Sequence, residues 1–431
     1  MKIAYIHDDK KINTGAHHIN NLMVNKLREH GVMVKNVYPK VDLIDTSRIN
    51  LKGVANILFF YSLLEQKKEI LKYDLIQGTT YTPITFLPFK IPVVTHFGST
   101  TQGFLQAVPK TKHIEKNFLD IWKRLKNNQV ISELDLKTKK PLLDIADIEF
   151  FAASKANKII ATSKIVKNDL IKYGQIPSNK ICVIHNAIED YWFDAPLAVM
   201  GKPKLIFLGR IGNDIFTWKL KGVDRLISIY ENFPDLEKVS IVMTINKKIC
   251  TWLNNHIPSH KYLYNFPKDK IRNVLQPYRG SIFLLTSRYE GFSLSLIEAM
   301  SQGLIPIAFP VGVAPEIIID GKNGFLVSSV KEANKRIKEI LDNDDLRAEM
   351  SLAAYNTSLK FRADILAKKL VNLYQQIIKE SNTKEKFIEN SIIPQFSLEI
   401  IQKGNIKPII TNMDLEKIKL IPKLVDSGTV N

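Results

Sequence analysis

Tyr289-Glu-Gly-Phe-Ser-Leu-Ser-Leu-Ile-Glu-Ala-Met300 follows an apolar run, Ile282 to Ser287, and reads as a strand passing through a Gly-containing turn into a helix. Such a junction aims free backbone N–H groups at one point, where the helix dipole favours an anion. Glu290 stands before the turn, near that point. Glu298, eight positions on, falls about a turn and a half into the helix, too deep to cap it but able to reach beside a bound ligand. The arrangement suits a phosphate-bearing ligand whose hydroxyls are held by carboxylates, as in a nucleotide-sugar. Spacing alone leaves open a plainer alternative, two surface glutamates flanking an ordinary junction.

Working outward, the first half alternates short apolar strands with amphipathic helices, the pattern of a parallel sheet covered on both faces. Strands are expected at Lys2 to Ile6, Val32 to Tyr38, Asp74 to Gln77, Pro92 to Phe97, Lys158 to Ser163 and Lys180 to Ile184, with a helix over Ala16 to Glu29 closed by Gly31. A second series starts at Lys204 to Leu208 and repeats the logic through Val239 to Thr244, Tyr262 to Phe266, Ile282 to Thr286 and Ile305 to Phe309. Ala, Pro and Gly interrupt the periodicity over Ala195 to Pro203, which sets domains at 1–195 and 203–360. Two doubly wound α/β halves predict a ligand crevice at the carboxyl ends of the strands, in the gap between domains.

Two segments depart from the pattern. The basic insertion 110–140, placed in the first domain, carries Phe118, Leu119, Ile121, Trp122 and Leu125 at helical spacing. Such a helix either lies on an anionic membrane and meets a lipid-linked acceptor, or packs its apolar stripe on the domain, which is the preferred reading. The extension 382–431 holds apolar runs too strong for simple disorder, and its role is unreadable.

The chain has 431 residues, enough for two domains, and a net charge of +18. Lysine is spread along the chain with Asn and Ile, as compositional bias alone produces; an anionic membrane face is the functional alternative. No zinc-finger spacing or aromatic–basic sheet pattern points to nucleic acid. Cys182 and Cys250 match no metal-ligand spacing and suit a reducing compartment. Met1 leads directly into a strand without a signal-peptide layout, and the run Val54 to Leu64 is too short to span a bilayer. A soluble cytoplasmic protein is expected, with peripheral contact at the inner face of the membrane as the alternative.

Glu290-Gly-Phe-(x5)-Glu298-Ala-Met resembles the E-x7-E signature of the retaining glycosyltransferases of family 4. Phe207-Leu-Gly-Arg210 with Lys221-Gly-Val-Asp-Arg-Leu226, Lys180-Ile-Cys-Val-Ile-His-Asn-Ala-Ile188, and Ala314-Pro-Glu316 with Asp320-Gly-Lys-Asn-Gly-Phe-Leu-Val327 resemble further blocks of that family in the same order, so the likeness extends over residues 1 to 380. It implies the GT-B fold: two facing Rossmann-like domains, the first on the acceptor side, the second binding the nucleotide-sugar, and a crossover helix (361–380) returning to the first.

The same resemblance assigns roles. Arg210 and Lys221 would neutralise the departing diphosphate, a planar fork beside a point charge, although the long aromatic stretch Ile211 to Leu220 leaves Lys219 as a substitute for Lys221. Glu298 would hold the ribose hydroxyls, and Glu290 a hydroxyl of the donor sugar near the oxocarbenium-like centre. The backbone at Phe292, Ser293 and Leu294 would support sugar and phosphate. His96 resembles the His placed beside the donor sugar, and Gly15 a glycine that lets backbone N–H groups approach phosphate or acceptor; the second glycine found in many members is absent. Glu149 and Glu316 are expected to be architectural. No Asp-x-Asp triplet stands at a strand end as in metal-dependent transferases, so no metal is required in this reading.

The expectation is therefore a retaining transferase moving a hexose from a UDP- or GDP-sugar to a saccharide, lipid-linked or other acceptor in glycan, cell-envelope or glycolipid biosynthesis. Two alternatives stand beside it. One is a sugar-phosphate enzyme on the same fold, a phosphorylase or epimerase. The other is a non-catalytic basic protein that binds nucleic acid or anionic membrane.

Overall fold

The computed structural model describes residues 1–8, 15–40, 59–193, 201–212, 214–242 and 246–383. Thr14, residues 54–58 of the run 54–64, much of the expected boundary and nearly all of the extension 382–431 lie outside these residues. The described residues fall into two compact units: those within Met1–Leu105, Thr138–His185 and residues 364–383, and those within Gln106–Lys137 and Asn186–Ala363.

The first unit holds a parallel six-stranded sheet: β1 (Lys2–Ile6), β2 (Met33–Val37), β3 (Leu75–Thr79), β4 (Val93–Phe97), β5 (Lys158–Ala161) and β6 (Ile181–Val183), in the order β2-β1-β3-β4-β5-β6. Parallel strands need crossovers, and helices such as Gly15–Glu29 supply them. That helix stops where Gly31 takes φ +77° and the next N–H, from Val32, returns to Leu27 O at 3.0 Å. The last helix, Ala363–Thr383, belongs here from Asp364. Its Asp364 pairs with Lys26 at 3.4 Å and His30 at 3.6 Å, and buried Tyr374 donates to Gln77.

The second unit repeats the plan: β7 (Leu205–Gly209), β8 (Lys238–Val242), β9 (His260–Tyr264), β10 (Ile282–Leu285), β11 (Ile305–Ala308) and β12 (Phe325–Leu326), ordered β12-β11-β10-β7-β8-β9 and all parallel. Successive side chains of a strand point to opposite faces. Leu205, Phe207, Ile282 and Leu284 accordingly join one core, while Ile206, Leu208, Phe283 and Leu285 join the other. Both faces are buried, which is why these strands read as unbroken apolar runs.

Two expectations about organisation are corrected. The insertion forms the helix Lys116–Asn127, but its buried stripe, Ile121, Trp122 and Leu125, joins the core of the second unit rather than the first. That stripe is covered within the second unit, as the preferred packing reading requires of a helix of this kind. The division also falls at His185/Asn186, upstream of the expected boundary at 195, because Trp192 and Phe193 are buried in the second unit.

Candidate active site

In the second unit the chain runs from β7 through β8 to β9 on one side of the sheet, then resumes beside β7 with β10 and continues outward to β12. The carboxyl ends of β7 and β10 therefore form the switch point, where diverging connections leave room for a ligand. Arg210 follows β7 and is exposed; among the described residues it has no hydrogen-bond or ion-pair partner. A short helix, Ile215–Leu220, capped by Asp214 Oδ1 accepting from Thr217 N at 2.7 Å, then delivers Lys221.

Gly222 is the residue that lets this turn touch the end of β10. It has φ +64°, and a Cβ there would stand 2.1 Å from the carbonyl oxygen of Thr286. Thr286 Oγ1 donates to Lys221 O at 2.8 Å and fixes the contact. Lys221 Nζ thereby donates to Glu290 Oε1 at 2.6 Å, and Ser287 Oγ donates to the same oxygen at 2.7 Å. Two of the expected residues, one on each side of the switch point, form one charge-assisted pair.

Beyond Glu290 the turn is pinned. Val313 N donates to Phe292 O at 2.9 Å, and Gly312, at φ +57°, lies so close to Phe292 that a Cβ would meet its carbonyl oxygen at 2.5 Å. Ser293 takes φ +78° and ψ 79°, a conformation a non-glycine residue keeps only where its surroundings hold it. Leu294 begins the helix Leu294–Ser301, and the Ser293 side chain does not cap it. That hydroxyl therefore leaves the first-turn N–H groups to other acceptors.

Glu298 lies inside this helix, 8% exposed. Burial pushes its carboxyl above the ordinary range, Lys268 opposes the shift, and Glu189 adds to it. Lys268 Nζ stands 3.1 Å from Glu189 and 3.6 Å from Glu298, so one ammonium serves two carboxylates. A carboxylate short of positive charge in this way is a strong acceptor for hydroxyl donors.

Sequence reasoning missed the polar groups that hold this arrangement. Arg288 forms a bidentate pair with fully buried Asp224 at 2.8 and 2.7 Å and donates to Lys219 O at 2.8 Å. Arg225 stacks on Phe309, its guanidinium carbon 3.9 Å from the ring centroid, and reaches Thr286 O and Ser287 O at 3.3 Å. Burial, with Arg288 nearby, lowers its pKa to about 10. The alternative of Lys219 for Lys221 is removed. Lys219 is 1% exposed, and its ammonium is spent on Pro109 O, Thr111 Oγ1 and Asp135 Oδ1 at 3.2, 2.9 and 2.7 Å. Among the described residues no three His, Cys, Asp or Glu side chains gather as a metal site requires.

Glu316 stands on the helix Ala314–Ile317 of the second unit, and the remaining expected residues lie in the first unit. His96 is buried at the carboxyl end of β4, beside β3 and β5. Gly15 opens the helix Gly15–Glu29, and His17 Nε2 lies 3.1 Å from Asp8. Glu149 holds the start of the helix Thr101–Ala107 by accepting from Thr101 N and Thr101 Oγ1, both at 2.8 Å. Burial raises its pKa to about 7. Its work is structural.

Two parallel six-stranded α/β units of this kind make up the GT-B fold. Residues 27–190 match the family model Glycosyltransferase Family 4, and residues 190–357 match Glycosyl transferases group 1. An uncharacterised glycosyltransferase of Methanocaldococcus jannaschii is 27% identical over 274 residues, 58% of this chain and 65% of that protein, so the chain spans just under two thirds of that curated relative. The structure superposes on sucrose-phosphate synthase of Thermosynechococcus elongatus with a TM-score of 0.66 at 14% identity, covering 88% of this chain and 99% of the other. HepE of Anabaena, solved with UDP-glucose, gives 0.59 at 17% identity over 87% of this chain and 100% of its own. The chain belongs to the family 4 type of glycosyltransferases.

Proposed function

We propose that this glycosyltransferase moves a hexosyl group from a UDP- or GDP-sugar to a saccharide or lipid-linked acceptor, with retention of configuration. The observation that carries the reading is the Lys221–Glu290 pair at the β7/β10 switch point, with Arg210 exposed at the same strand ends. In this reading Lys221 and Arg210 stabilise the diphosphate as negative charge gathers on it, the largest electrostatic change in the reaction. Glu290 holds a hydroxyl of the donor sugar while keeping Lys221 in place, and Glu298 accepts from the ribose hydroxyls. Backbone N–H groups at Phe292, Ser293 and Leu294 face sugar and phosphate. The resemblance assigns His96 of the first unit a contact with the sugar and Gly15 a place beside phosphate or acceptor. The departing phosphate takes the acceptor's proton, so no protein nucleophile is required. A nucleotide-sugar donor is supported by HepE, whose structure contains UDP-glucose.

The test is release of nucleoside diphosphate from UDP-glucose, UDP-N-acetylglucosamine, GDP-mannose and ADP-glucose, with EDTA and without. Release from a UDP- or GDP-sugar that survives EDTA and falls about 10²–10³-fold in Lys221→Ala supports the reading. Release that collapses with EDTA removes its electrostatic half. No release from any donor, together with salt-dependent binding to DNA or anionic vesicles, would favour a non-catalytic basic protein.

A further inference from the structure

Lys219, Leu220 and Lys221 have each carbonyl held by the connection after β10: Lys219 O by Arg288 Nη1 at 2.8 Å, Leu220 O by Arg288 N at 2.7 Å, and Lys221 O by Thr286 Oγ1 at 2.8 Å. Arg288 is in turn oriented by Asp224, and Asp224 Oδ2 also accepts from Trp122 Nε1 at 3.1 Å. Lys219 points away from Lys221, and its three polar partners, Pro109 O, Thr111 Oγ1 and Asp135 Oδ1, all come from residues 106–137. Both ends of the support thus belong to the insertion. We propose that the insertion is a positioning clamp for the site: Trp122, through Asp224 and Arg288, and Asp135, through Lys219, hold Lys221 in register with Glu290. Trp122 and Asp135 touch no substrate; they act through Lys221, so the proposal rests on the donor-site reading above. A turn whose backbone carbonyls are held and whose buried ammonium is tied down fixes the Cα of Lys221, the point from which its side chain reaches Glu290. Displacement of a catalytic group by about 1 Å from a remote substitution is enough to slow a reaction severely.

The experiment is a double-mutant cycle on nucleoside diphosphate release from whichever of UDP-glucose, UDP-N-acetylglucosamine, GDP-mannose and ADP-glucose is turned over fastest. Trp122→Phe keeps the ring and removes the N–H; Asp135→Asn keeps an acceptor and removes the charge. Each is expected to lower kcat about tenfold with donor KM nearly unchanged, and to cause no further loss in a Lys221→Ala background. Equal fold-losses in both backgrounds, or wild-type kcat in both single variants, would overturn the proposal while leaving the donor site intact. Wild-type release by Lys221→Ala itself, or release from none of the donors, would instead reject the donor-site reading and this proposal with it. Thermal midpoints identify a variant that has lost its fold, in which case the other decides.

Discussion

Lys221 Nζ and Glu290 Oε1 lie 2.6 Å apart, with side chains 22% and 15% exposed, joining the turn after β7 to the turn after β10. Neither residue is near the other in sequence. The pair exists because Gly222 lets one turn rest on the other and because Thr286 and Ser287 supply hydroxyls on either side. On the proposed reading, the cation that serves the phosphate is held in place by the carboxylate that serves the sugar.

Replacing Glu290 by Gln keeps the shape and removes the charge. With the neutral amide, Lys221 loses its ion pair and the sugar loses a charged acceptor, both needed most in the transition state. Turnover should fall about 10²-fold with little change in fold stability, read from initial rates and thermal midpoints. A midpoint drop matching the rate loss would mean the pair is structural.

Gly222→Ala tests the close approach. The left-handed conformation alone costs about 1–2 kcal/mol for a side chain, and contact with Thr286 O adds to it. Gly31→Ala is the control, with φ +77° and nothing within 4 Å of the new Cβ. Denaturant titration should show the larger loss at Gly222, accompanied by lost turnover.

Glu149 makes stability depend on pH. Its folded pKa of about 7 lies above the ordinary 4.5, so its contribution is fully present below pH 4.5 and is lost as pH rises through 7. Wild type should lose roughly 3 kcal/mol relative to Glu149→Gln across that window, an order-of-magnitude figure. A flat difference between the two proteins from pH 4.5 to 8 would show that the carboxyl titrates normally.

Leu125→Ala tests where the insertion belongs. Leu125 is fully buried in the core of the second unit, so its truncation should destabilise that unit by about 2–5 kcal/mol. Unchanged stability with weakened binding to anionic vesicles would restore the membrane-lying helix.

Much of this was legible in the sequence, and the gaps have physical causes. Ile282–Leu285 reads as a strand because a central parallel strand is apolar on both faces, and the E-x7-E spacing placed Glu290 and Glu298 on either side of a turn. β12, two residues long, leaves no periodic signal. Helical spacing in the insertion shows that Trp122 lies on a buried face but not which core buries it; its partner Asp224 is 102 residues away. Lys219 and Lys221 are the same residue type two positions apart, and only the direction each side chain takes separates the buried anchor from the site. Lys268 was invisible for the same reason, since its ion pair with Glu298 joins separate elements.

On the proposed function, the second unit binds a nucleotide-sugar through the switch-point residues. A thermal-shift series of UDP, GDP, ADP and their sugar conjugates on wild type and Glu298→Ala tests it most directly, because a ligand that binds only the folded protein raises the midpoint with its saturation. One nucleotide and its conjugates should raise the wild-type midpoint, and Glu298→Ala should lose the shift. No shift with any of them, with added magnesium or without, or an equal shift in the variant, would contradict the account.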